Sequence, residues 1–66
     1  MKVQVTYTGK TKSLTLKEGS SAQDLLEEMG INPEIVLVKQ NNEIVPETEL
    51  LSDKDKIDLI LIKRIV

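Results

Sequence analysis

The chain has 66 residues, 39% of them apolar, a net charge of −2, and neither Cys nor His. A chain this short has room for one domain with a small core. The missing Cys and His exclude disulfides, thiolate metal sites and the commonest general base, and the net negative charge disfavours general affinity for nucleic acid.

Met1, Val3, Val5 and Tyr7 alternate with Lys2, Gln4, Thr6 and Thr8, the period of a half-buried strand. Gly9-Lys10 reads as a tight turn, and a second strand over 11–17 points Leu14 and Leu16 inward. These two runs predict an opening hairpin. Ser20 and Ser21 offer N-caps in two registers, Ser20-x-x-Gln23 and Ser21-x-x-Asp24. Ala22, Leu25, Leu26 and Met29 then form one apolar stripe at helical spacing, and Gly30 and Pro33 end the helix.

Ile35 to Lys39 is a β-branched run suited to a buried strand. Gln40-Asn41-Asn42 is turn chemistry, and Ile44-Val45-Pro46 is a short strand, with Pro46 confined to an edge or to the strand's own end. Leu50 and Leu51 are expected to plug the core from a turn. Asp53-Lys54-Asp55 leads into the last strand, where Ile57, Leu59 and Leu61 face one way and Asp58, Ile60 and Ile62 the other. A single helix can cover only one face of the sheet, so the last strand should be central, with Ile60 and Ile62 left open.

Charge is segregated along the chain. Residues 1–17 carry Lys2, Lys10, Lys12 and Lys17 without an acid, whereas residues 18–34 carry Glu18, Asp24, Glu27, Glu28 and Glu34 without a base. The apolar runs are too short to span a membrane, the longest late one being Leu59 to Ile62, and no signal peptide is evident. A cytoplasmic protein without membrane, metal or cofactor partners is the expectation. Asp53 and Asp55 read as a solvated turn, because a calcium loop needs further oxygen ligands and Ile57 falls at one of those positions. No catalytic triad, phosphate loop or glycine cradle is present, so the chain is not expected to be an enzyme.

The element order, with Glu43-Ile44-Val45-Pro46 after a turn and Asp53-Lys54-Asp55-Lys56-Ile57 before a final strand, resembles the β-grasp sulfur carriers. These are the small ubiquitin-like proteins of thiamin and molybdopterin biosynthesis and of tRNA thiolation. The resemblance covers nearly the whole chain. It implies an α+β fold, a single β-grasp domain over 1–66 with a mixed four- to five-stranded sheet and one helix on one face. It also implies a sulfur carrier or ubiquitin-like modifier, activated at a C-terminal diglycine by an adenylating enzyme and handing sulfur to a synthase or transferase. These 66 residues end in Lys63-Arg64-Ile65-Val66, with no glycine. Either a diglycine follows Val66 or the chain is a relative without the acceptor end. The first is the expectation, because Ile65 and Val66, the C-terminal tail, continue the apolar strand and do not look like a solvated terminus. Lys54 stands where many relatives carry Gly, and a positive φ there costs about 1 kcal/mol.

The expected partner surface comprises Ile60 and Ile62 with Val36 and Val38, or else Leu37, from the neighbouring strand. Lys63 and Arg64 are candidates for pairing with acidic residues of the partner, the alternative being two solvated charges. A non-covalent β-grasp module that binds protein or RNA is the rival reading. A monomer, or a weak dimer through the apolar face, is the expected assembly.

Overall fold

The computed structural model describes residues 1–62. Strands β1 (Lys2–Tyr7) and β2 (Lys10–Thr15) are followed by helix α1 (Ala22–Met29) and a 3-10 turn, Pro33–Ile35. Then come β3 (Val36–Gln40), β4 (Glu43–Val45) and β5 (Lys56–Leu61). The strands form one five-stranded sheet in the order β2-β1-β5-β3-β4. β5 lies at the centre, parallel to β1 and antiparallel to β3. The α+β β-grasp arrangement expected from the sequence is therefore present.

Both hairpins close with two-residue turns whose residues take positive φ, as the right-handed twist of the strands requires. In the first, Thr8 and Gly9 have φ of 50° and 79°, so Tyr7 pairs directly with Lys10. The turn thus sits one residue earlier than the Gly9-Lys10 expected, and β2 begins at Lys10. In the second, Asn41 and Asn42 take φ of 51° and 73°, pairing Gln40 with Glu43. Lys54 does adopt a positive φ, 69°.

Of the two cap registers the helix uses Ser21. Its hydroxyl accepts from the Asp24 N–H at 3.3 Å, and the Asp24 carboxylate accepts from the Ser21 N–H at 2.8 Å. The other free N–H groups of the first turn find carbonyls in the loop before β5. Ala22 N–H donates to Glu49 O and Gln23 N–H to Glu47 O. The helix start, which would otherwise carry orphan donors, is thereby stitched to residues 47–49. At the other end Gly30 turns left-handed, while Gly30 N–H donates to Glu27 O and Ile31 N–H to Leu26 O, closing the helix in a Schellman motif.

The core lies between α1 and one sheet face. Val3, Val5, Ala22, Leu25, Leu26, Val36, Val38, Leu51, Ile57 and Leu59 are buried, with Leu14, Leu16 and Met29 half-buried around them. Leu51 fills the core as expected, but Leu50 does not. Leu50 bridges to Ser21, and its neighbour Leu51 then takes the inward side of the extended chain, leaving Leu50 exposed.

Because Leu26 is fully enclosed and Ile60 is not, truncating each should separate the two faces. Leu26→Ala is expected to cost about 2–5 kcal/mol through lost contacts and a cavity. Ile60→Ala should cost distinctly less, about 1–2 kcal/mol, since Ile60 keeps 40% of its surface in water and its loss opens no enclosed cavity. Urea titration of both variants checks this, and equal losses would contradict the assignment of faces.

Candidate functional site

The side of the sheet opposite α1 carries no covering element among the described residues. Its apolar part is built by strand register. Ile60 on β5 stands directly opposite Leu37 on β3, and Lys39 on β3 stands opposite Ile44 on β4. Directly paired residues share a face, as do residues two apart along a strand. Leu37, Ile44, Ile60 and Ile62 therefore form one patch, 37%, 64%, 40% and 54% exposed respectively. Asp58 and Lys39, paired across β5 and β3, border it. Beyond them the face turns polar, through Gln4 and Thr6 on β1 and Thr11 and Ser13 on β2, with the Thr6 and Thr11 hydroxyls hydrogen-bonded at 2.9 Å.

Ile60 and Ile62 thus occupy the open face, as expected. Val36 and Val38 do not: they are 5% and 4% exposed and belong to the core. The pairing of Val38 with the buried Leu59 fixes the parity of β3, and Leu37, the alternative, takes the outer position. An unbroken apolar run hides this parity, because every residue from Ile35 to Val38 could face inward. Ile44 belongs to the patch although it was not among the expected residues. The two-residue Asn41-Asn42 turn, which places Ile44 opposite Lys39, is the signal that could have found it. Lys63, Arg64, Ile65 and Val66 lie outside the described residues.

β5 is bonded on both sides, so the patch is anchored to the most secured strand. Ile62 N–H donates to Ile35 O at 2.8 Å, tying the last described residue to the 3-10 turn. The chain therefore continues from the patch itself toward its C-terminus.

The opposite end of β5 is held by two carboxylates. Asp53 Oδ1 accepts the Lys2 N–H at 2.7 Å, while Lys54 N–H donates to Lys2 O at 2.7 Å. Asp55 is buried and accepts from Ser52 N–H at 2.7 Å, Gln40 Nε2 at 2.7 Å and Asn41 Nδ2 at 3.0 Å. The expected solvated turn is corrected here, for Asp55 is a structural hub joining the β3–β4 turn to the loop before β5. Burial by itself pushes its carboxyl up, but the Ser52, Gln40 and Asn41 bonds outweigh that and hold the carboxyl below its usual value. Among the described residues, no group of three or more acidic side chains gathers as a metal cluster would. No helix there is long and apolar enough to cross a membrane.

The family model described as the ThiS family matches residues 2–62. The chain belongs to the ThiS family. This bears out the resemblance to the β-grasp sulfur carriers. Among solved structures, SAMP1 from Haloferax volcanii matches with a TM-score of 0.69 and 14% identity, over 91% of this chain and 91% of that one. At that identity the match speaks for the fold. No curated protein sequence matches significantly.

In this ThiS-family chain the Asp55 hub should register in the response to acid. A carboxyl with a lowered folded pKa contributes stability above its unfolded value of about 3.9, and that contribution fades as pH falls through the folded value. Asp55→Asn should therefore cost about 1–3 kcal/mol at neutral pH, where bonds to the carboxylate are lost. The gap between variant and parent should narrow below about pH 4. Urea unfolding across pH measures both; a gap that stays constant would show that the carboxylate charge is not what the hub uses.

Proposed function

We propose that this chain is a sulfur carrier or modifier whose C-terminus is activated by an adenylating enzyme docked on the open sheet face. The observation that carries the reading is the position of the patch. Leu37, Ile44, Ile60 and Ile62 surround the strand from which the C-terminal residues leave. Docking there holds the tail near the enzyme's ATP, so that an otherwise bimolecular encounter becomes effectively intramolecular.

The chemistry belongs to the partner. A C-terminal carboxylate oxygen attacks the α-phosphorus of ATP and pyrophosphate leaves. A hydrosulfide equivalent then attacks the acyl carbon, AMP leaves, and a thiocarboxylate remains. That end must enter a narrow channel without a Cβ in the way, which is why two terminal glycines suit it. This chain supplies apolar anchoring, delivery of the tail and the terminal carboxylate that is activated, while its side chains contribute no acid or base. Lys63 and Arg64 would guide the tail by pairing with acidic groups of the partner. A sulfur-accepting synthase or transferase would receive the product, in the cytoplasm.

The test uses the chain extended by Gly-Gly after Val66, an adenylating enzyme of the sulfur-carrier type, ATP and a sulfide donor. The extended chain should acquire sulfur in place of one carboxylate oxygen, read by intact mass. The 66-residue form should bind the enzyme but stay unmodified. Ile60→Asp should keep the fold and weaken binding by about 2 kcal/mol or more, roughly thirtyfold, because it places an unpaired charge in an apolar contact. An extended chain that acquires neither sulfur nor an isopeptide link to lysine would replace this reading with that of a non-covalent interaction module.

A further inference from the structure

β2 is an edge strand with a peculiar division of labour. Its inward backbone bonds go to β1 through the pairs Met1–Leu16, Val3–Leu14, Val5–Lys12 and Tyr7–Lys10. The doubled bonds between Met1 and Leu16, both 2.8 Å, fix that alternation. The N–H and C=O groups of Thr11, Ser13 and Thr15 consequently point outward, away from β1. They are spaced symmetrically about Ser13.

The same edge has two differently charged ends on the helix side. At its start, Lys10 and Lys12 rim a shallow notch of about 150 Å³ together with Tyr7 and Met29. At its finish lies an open depression of about 650 Å³ lined by Leu16 and by four acids, Glu18, Asp24, Glu27 and Glu28, against a single base, Lys17. Asp24 is engaged in the helix cap and Glu18 lies 3.7 Å from the Met1 amine. Glu27 and Glu28 have no ion-pair partner among the described residues, and they sit in the last turn of a helix that has no basic residue there. Carboxylates at that end oppose the helix dipole, so an external cation is welcome.

We propose that β2 is a homodimerisation edge, with a second copy of this chain adding its own β2 antiparallel across a two-fold axis at Ser13. In that register the Ser13 residues of the two copies pair, and Thr11 pairs with Thr15 of the other copy. Every outward backbone group of Thr11, Ser13 and Thr15 is then satisfied. Lys12 of one copy lies across from Leu14 of the other, and Lys10 across from Leu16, over the depression that holds Glu27 and Glu28. The basic end of each edge therefore meets the acidic end of its mate, twice, as an isologous interface demands. Lysine on an edge ordinarily discourages strand addition. Here it discourages every mate whose opposite end lacks carboxylates. The Lys12 residues of the two copies are diagonal neighbours, about 7–8 Å apart, and their repulsion keeps the association weak. β2 lies at the far edge of the sheet from β3 and β4, so the dimer leaves the apolar patch of both copies free. The inference stands apart from the carrier reading.

Sedimentation equilibrium of the full chain tests it, at salt of about 50 mM and again at about 500 mM, where exposed ion pairs are largely screened. The expected result is a concentration-dependent dimer that weakens about tenfold at the higher salt. Ser13→Pro, which removes an outward N–H at an edge position that tolerates proline, should give a folded monomer. Two charge-reversed chains, Lys10→Glu/Lys12→Glu and Glu27→Lys/Glu28→Lys, should each be monomeric alone and should form a heterodimer when mixed, because both contacts then match. A chain that stays monomeric at millimolar concentration in low salt overturns the proposal. So does a dimer unaffected by Ser13→Pro, or one lost in Ile60→Asp, either of which would place the contact elsewhere.

Discussion

One helix cannot cover both faces of a sheet, and the central strand of this protein is apolar on both. Ile57 and Leu59 are buried beneath α1, while Ile60 and Ile62 look out from the other side. The rest of the structure follows from serving that strand. β1 pairs with it in parallel and β3 antiparallel, so its backbone is bonded on both edges. The parallel pairing forces a crossover between the first hairpin and β5, and α1 travels with that crossover to seal the inner face. What remains uncovered is then a consequence of element count, and a patch of Leu37, Ile44, Ile60 and Ile62 is its result.

An uncovered apolar patch invites indiscriminate association unless it is bounded. The bounding here is done by the same register that creates it. Lys39 and Asp58 face each other across β3 and β5, and beyond them Gln4, Thr6, Thr11 and Ser13 make the rest of the face polar. The sheet's two halves thus differ in chemistry although they share one continuous backbone ladder. The β3–β5 half suits an apolar contact, while the β2 edge offers hydroxyls, lysines and free backbone groups.

Much of this could be read from residue order. Alternation in β1 and β5, the Ala22-Leu25-Leu26-Met29 stripe and the Gly30 stop each follow from local periodicity, and each is where the periodicity put it. Lys54 takes the positive φ that the resemblance raised for it, since it stands where many relatives carry Gly. The features that escaped are the ones that depend on tertiary pairing. β3 has no alternation to read, so only its partner Leu59 reveals that Val38 is inside and Leu37 outside. Ile44 joins the patch through a hairpin register set by Asn41 and Asn42, whose left-handed backbone is a preference of Asn and not a requirement. Asp55 looked like a solvated turn acid because its bonding partners, Gln40 and Asn41, are distant in the chain. A buried carboxylate is legible only when its donors are known.

Asp55 and the patch occupy opposite ends of the same strand, and that separation bears on what holds the patch in shape. The lower end of β5 is locked: Asp55 gathers Ser52, Gln40 and Asn41, and Asp53 and Lys54 clamp Lys2. At the upper end, the last described residue, Ile62, donates its N–H to Ile35 O beyond the last ladder pair, Val36 with Leu61. The firm bonding below the patch fixes the register of β5 and with it the shape of the open face. Loosening the lower end would therefore be felt at the patch through register, because a slip of one residue in β5 would exchange Ile60 for Leu59 on the open face.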